Sequence, residues 1–363
     1  MKTKHLLILF VIALVALFVG SGLLSNKQGE SQFQQQNLLP ELDWSLLSSI
    51  KLSNNDDTQQ VTLNTLLQQW IVVEKDGYQA DTKKLSELVT ALKSAQIVEL
   101  KTKAEKNYHR LGLDLTKAEA KLLTLKVVDK TFELVLGNAN KNGSGQYVRL
   151  LPEVQTYLID QSFELELAPE SWIESDVFSL SFEQATQISV AFEQGGSFVI
   201  HRPEIEQADR VINTSETDLT QVANQVADLA KTDVEFAQDF ELKSTSENIE
   251  RELKYSTIFS GLARNLLNIS ANNVELSTAP ELKQTTKVAS FNIVYNDKEQ
   301  AFTTDLTLYK VEALESETEN QAIKTQYFVH RDETKYWLSI SEFDFNQISK
   351  PFGDYFEPME EQK

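Results

Sequence analysis

Residues 6–24, LLILFVIALVALFVGSGLL, form a run of 19 residues without a charge. A helix needs about 20 such residues to cross the hydrocarbon core of a bilayer. Lys2, Lys4 and His5 precede the run. The positive-inside rule therefore keeps the N-terminus in the cytoplasm and sends everything after Asn26 across the membrane. Two readings fit. One is a retained transmembrane helix over residues 1–26, giving a single-pass protein. The other is a signal peptide cut near Gly20, Ser21 and Gly22. The run is longer than the usual apolar part of a signal peptide, which favours the anchor. Residues 27–43 are polar and Gln-rich, and read as a flexible tether.

Charge narrows the partners. The chain has 34 Lys+Arg against 54 Asp+Glu, a formal net charge of -20. Binding to nucleic acid requires cations that replace counterions on phosphate, so a nucleic-acid partner is excluded as an expectation. Anionic lipid headgroups should repel the body as well. There is no cysteine, which excludes disulfides, thiolate metal sites and Cys nucleophiles. Only 12 glycines are present, with no Gly-rich phosphate loop among them.

Past the tether, the same order of elements occurs twice. In the first unit, Ile50–Leu52, Val61–Leu63 and Gln69–Glu74 read as strands. A helix is expected over 81–96, with Leu85, Leu88, Val89 and Leu92 on one face. Strands follow at Leu122–Val128, Phe132–Leu136, Tyr147–Leu150 and Tyr157–Ile159, then a helical turn from Pro169 carrying Trp172. In the second unit, Ile188–Phe192 and Ser197–His201 form a hairpin around Gly195-Gly196. A helix is expected over 216–230, with Val226 on its buried face. Strands follow at Ser290–Tyr295, Thr304–Tyr309, Gln326–His330 and Lys335–Ser339. The expected fold class is thus α+β: a transmembrane helix, then two tandem, duplicated α+β units with antiparallel-rich sheets, at 44–180 and 181–357.

Aligning Val98–Leu100 with Val234–Phe236 gives an offset of 136 residues. Tyr147 and Tyr327 differ by 180. The difference places an insertion in the second unit at about 240–287. Within it, Ile249, Leu253, Leu262, Leu266 and Ile269 recur at helical steps, accompanied by Arg264. Such a stripe must cover something. It packs on its own sheet or between the two units, or it docks a partner through Leu253, Leu262, Leu266 and Arg264.

No pattern calls for a metal or cofactor. Three histidines follow the apolar run, each before an arginine: His109-Arg110, His201-Arg202 and His330-Arg331. None has the spacing of a helix-borne zinc site. They read as polar strand ends, or as a cationic patch for a partner carboxylate. No nucleophile elbow is present, and with 54 acids no carboxylate pair stands out. The Glu-rich stretch 310–324 reads as a solvated loop.

Several short motifs carry a resemblance. Trp70-Ile71-Val72-Val73-Glu74 and Asp76-Gly77-Tyr78-Gln79-Ala80-Asp81, followed by a helix, resemble the opening of the DUF4340 family. Tyr108 to Leu113 resembles its "YGL" segment, here with His-Arg-Leu between Tyr and Gly. Leu134–Gly137, Gln146–Arg149 and Trp172 resemble its "LxLG", "YVR" and closing Trp. The likeness covers residues 60–200, with a fainter second copy beyond. It implies a bacterial inner-membrane location with a periplasmic body. It also implies association with the membrane components of ABC transporters of the gliding-motility type, and assigns no catalytic residue. The expectation is a non-enzymatic, membrane-anchored accessory subunit of an ABC-type transport system. The alternative is a protein that binds or acts on envelope glycans.

Overall fold

In the computed structural model, residues 35–358 are described, apart from 55–56, 118–119, 142, 164, 204–238, 247–251, 277–284, 299 and 312–324. Contacts divide the chain into two units. The first runs up to Thr65 and resumes over Lys83–Ala168; the second takes Leu66–Thr82 and everything from Pro169. The boundary expected at 180/181 thus falls at 168/169, and the segment 66–82 belongs to the later unit although it lies early in the chain.

In the first unit, the short polar β1 (Gln36–Asn37) precedes β2 (Leu47–Ser53) and β3 (Gln60–Leu66), which alternating apolar residues build. In the second unit lies the hairpin of β4 (Gln69–Val72) and β5 (Tyr78–Gln79). Then come α1 (Thr82–Ser94), β6 (Gln96–Leu100) and the short α2 (Tyr108–Leu111). The first unit closes with β7 (Lys121–Val127), β8 (Lys130–Ala139), β9 (Gln146–Leu151) and β10 (Thr156–Ile159). Its strands lie in the order β1-β6-β10-β9-β8-β7-β2-β3, antiparallel throughout. Leu85, Leu88 and Leu92 are the buried face of α1. Leu38, Leu39 and Leu42 are also buried, and Leu38 N–H donates to Ala95 O at 2.8 Å. Residues 35–43 are therefore part of the folded unit, not of a tether; 27–34 lie outside the described residues.

The second sheet contains β11 (Ala185–Phe192), β12 (Ser197–His201), β13 (Glu241–Thr245), β14 (Ala271–Leu276), β15 (Thr285–Asp297), β16 (Gln300–Val311), β17 (Gln326–His330) and β18 (Tyr336–Ile340). Helices α3 (Ile258–Leu267) and α4 (Glu342–Ile348) accompany it. The order is β13-β12-β11-β15-β16-β17-β18-β14, again antiparallel throughout. Phe259 of α3 meets Phe198 of β12 at 5.1 Å and Tyr355 at 5.9 Å. Tyr355 in turn meets Phe198 at 5.0 Å. The expected Gly195-Gly196 turn is present, both residues at positive φ. A side chain at Gly196 would run into Phe352.

The two sheets share one connectivity. A hairpin (β2–β3, β11–β12) is followed by a helix (α1, α3). That helix leads into a strand (β6, β14) which pairs with the last strand of a four-stranded meander (β7–β10, β15–β18).

Three expectations are corrected. The described residues are mostly antiparallel sheet with short helices, the longest 13 residues, so the fold is mainly β rather than α+β. Among the described residues, no helix is long and apolar enough to cross a membrane. The anchor over 1–26 lies outside the described residues, so the fold lends the transmembrane helix no support. Finally, 240–287 is not an insertion. It holds α3 and β14, the counterparts of α1 and β6. The extra length lies between His201 and Glu241, where the expected helix 216–230, with Val226, is outside the described residues.

Candidate functional site

The family-like motifs divide into two clusters. In the first unit, Tyr108 donates its hydroxyl to Val154 O at 2.6 Å. The Arg149 guanidinium lies 4.7 Å from the Tyr108 ring centre. Gly112 ends α2 at φ 70, the left-handed cap that glycine adopts at no steric cost. Gly137 is required for space, because a Cβ there would stand 2.2 Å from Leu111 O. Gln146 is buried. It donates Nε2 to Gly137 O at 2.8 Å and accepts from Phe163 N–H at 2.9 Å. These residues lock a crossing segment onto the sheet.

In the second unit, the hairpin β4–β5 is held at several points. Asp81 N–H donates to Trp172 O at 2.8 Å, and Glu174 N–H donates to Gln79 O at 2.9 Å. Ala80 bridges Ile173, and Trp172 is 1% exposed. Lys75 Nζ donates to Asn273 Oδ1 at 2.7 Å and lies 3.7 Å from Glu170. The Tyr336 hydroxyl donates to Asp76 O at 3.0 Å. Tyr78 packs edge-on against Tyr336 at 5.0 Å. Burial, with Glu174 adding to it, pushes the Tyr78 phenol up to about 12.

At the start of this segment, the backbone does something leucine resists. β3 ends at Leu66 and β4 begins at Gln69. The two intervening residues, Leu67 and Gln68, have φ 49 and 68. Two successive left-handed residues are the hairpin-turn geometry normally given to Asn-Gly. For a residue with a Cβ, this conformation costs about 1–2 kcal/mol. Leu67 is nevertheless 91% exposed and Leu66 55%. An apolar side chain thus stands in water on strained backbone, at a turn where a polar residue would fit better. Strain of this kind gathers at functional positions. Composition offered one hint, a Leu-Leu pair at a turn, but propensity alone predicts no left-handed leucine.

The residues expected to bind a partner do not form a surface. Leu262 and Leu266 are 3% and 0% exposed, because α3 packs its apolar stripe into the core of its own unit. Leu253 is half-buried and bridges Phe356. Arg264 is exposed, with its guanidinium 3.9 Å from the Phe182 ring centre. Docking through Leu262 and Leu266 is therefore ruled out by burial.

The His-Arg pairs are engaged separately. His109 and Arg110 are exposed on α2. Arg202 lies over Phe182 at 4.6 Å and Phe240 at 5.2 Å, and donates to Phe182 O. His330 Nδ1–H donates to Tyr336 O at 2.9 Å and the ring stacks on Trp337. Arg331 gives Nε and one terminal nitrogen to Glu333 at 3.0 and 2.6 Å.

The model for a domain of unknown function, DUF4340, matches residues 70–286, and the chain belongs to this family. No curated protein and no solved structure matches the chain.

Proposed function

We propose that this protein is a non-catalytic accessory component of an ABC-type transport system. It works on the extracytoplasmic face of the bacterial inner membrane and docks on the transporter's membrane components through the Leu66–Leu67 tip. The observation that carries this reading is the exposed leucine on left-handed backbone. Folding gains nothing from it, whereas an apolar partner surface would. Lys2 and Lys4 ahead of the uncharged stretch 6–24 support the location.

The test is capture of the full chain from detergent-solubilised membranes, followed by mass spectrometry. The wild type should bring down ABC transporter membrane components. Leu67→Asn suits the turn better, so it should melt at the same temperature or higher while losing those components. Failure of the wild type to capture any ABC component would overturn the function. Undiminished capture by L67N would remove the tip from it.

A further inference from the structure

A cleft of about 320 Å³ opens at one end of the second unit's core. Its wall comes from three stretches: residues 178–184 before β11, the β15–β16 hairpin, and Arg331 just after β17. Along β15 and β16, the core-facing pairs are Phe291 with Leu306, then Ile293 with Thr304, then Tyr295 with Phe302. The first two pairs are covered. At the third the core ends: Phe302 is 42% exposed, and Tyr295 stacks on it at 5.7 Å with 25° between the planes. An aromatic ledge therefore projects where apolar burial has stopped.

The polar groups around this ledge are partly spent and partly available. Arg331 uses Nε and one Nη2 hydrogen on Glu333, and one Nη1 hydrogen on Val177 O at 3.4 Å. Two of its five N–H donors remain. Burial alone would raise the Glu333 carboxyl, but bonds from Arg331, its own backbone and Thr304 outweigh it and hold it low. The Arg331 charge is thus already neutralised. Thr304, 5% exposed, gives its hydroxyl hydrogen to Glu333 at 2.9 Å and keeps its lone pairs. Gln184 Oε1 accepts from Ser181 N–H at 2.9 Å, leaving its amide hydrogens. Asp297 is exposed and has no cationic partner among the described residues.

We propose that this cleft binds a neutral or amino-substituted saccharide, with one sugar face on Tyr295 and its hydroxyls shared among Gln184, Asp297, Thr304 and Arg331. The chemistry selects this class over others. An anionic ligand would meet an uncompensated carboxylate and an arginine whose charge is taken. A purely apolar ligand would strand the unspent donors and acceptors, at a cost larger than the ledge returns. A sugar offers adjacent groups that both donate and accept, together with a C–H face that packs on an aromatic ring. The volume lies at the small end for ligand sites, enough for one or two rings.

The experiment is titration calorimetry on the purified full chain, kept in a detergent without a sugar head group. The probes are chitotriose, its de-N-acetylated form and inorganic phosphate. Either saccharide should bind saturably, and phosphate should not. Asp297→Ala and Gln184→Ala change exposed or half-exposed groups and should leave the melting temperature unaltered. Each should weaken binding by about tenfold, the loss of one well-placed hydrogen bond. Tyr295→Phe should retain binding, and Tyr295→Ala should abolish it. The proposal is overturned if neither saccharide binds, if phosphate binds instead, or if D297A and Q184A bind as tightly as the wild type.

Discussion

At the scale of single residues, Gly137 is a spatial necessity, because its φ is ordinary and only space demands glycine. A methyl group there would meet Leu111 O at 2.2 Å and Leu113 at 2.9 Å. Backbone cannot swing aside as a flexible side chain can. Gly137→Ala should therefore destabilise the first unit by about 1–3 kcal/mol, the usual cost of overpacking, measured as a shift in urea midpoint. An unchanged midpoint would mean that the crossing segment is loose. Tyr78 gives a second prediction, in pH. Its phenol titrates near 10 when unfolded and is pushed up to about 12 when folded, by burial first and Glu174 second. A raised folded value favours the neutral form, so its contribution is complete below about pH 10 and is lost as pH climbs toward 12. Melting temperatures should fall across that window, and Tyr78→Phe should flatten part of the fall. An equally steep fall in Y78F would assign the alkaline loss to other groups.

At the scale of elements, much of the sheet was legible, because period-two apolar runs bounded by turn residues leave few alternatives. The Gly195-Gly196 hairpin and the four strands of each meander stand where alternation put them. Aligning Val98–Leu100 with Val234–Phe236 pairs the wrong segments, because the counterpart by connectivity is Val274–Leu276 in β14. That offset is 274 minus 98, or 176, close to the 180 that separates Tyr147 from Tyr327. Three residues are too short a pattern to choose between two amphipathic candidates lying ahead of them. The error made α3 look surplus, and a surplus apolar stripe looks like an interface. Once α3 is recognised as the equivalent of α1, its burial follows from the same need to cover a sheet. The candidate sites were less legible. Left-handed Leu67 contradicts its own propensity. The Thr304–Glu333 contact spans 29 residues and depends on how two strands align, which no local pattern encodes.

At the scale of the whole molecule, the chain does not complete one unit before starting the next. Residues 66–82 leave the first unit's sequence and belong to the second. Asp76 accepts from Tyr336, 260 positions later. Such contacts order late, since closing a long loop costs entropy before any contact repays it. The fragment 169–358 made alone would lack the Tyr78 ring against Tyr336, the Ala80 bridge to Ile173 and the acceptor for Lys335 at Asp76 O. Trp172, almost fully buried in the intact chain, would lose the neighbours that accompany Asp81. This fragment should therefore melt well below the intact chain and show a red-shifted tryptophan emission. A synthetic peptide of residues 66–82 should raise its melting temperature in proportion to the logarithm of peptide concentration, as a ligand that binds only the folded state does. A fragment that melts like the full chain and ignores the peptide would show that the segment rests on the second unit without supporting it. A fragment rescued by the peptide would show that residues 66–82 complete the second unit although they lie early in the chain.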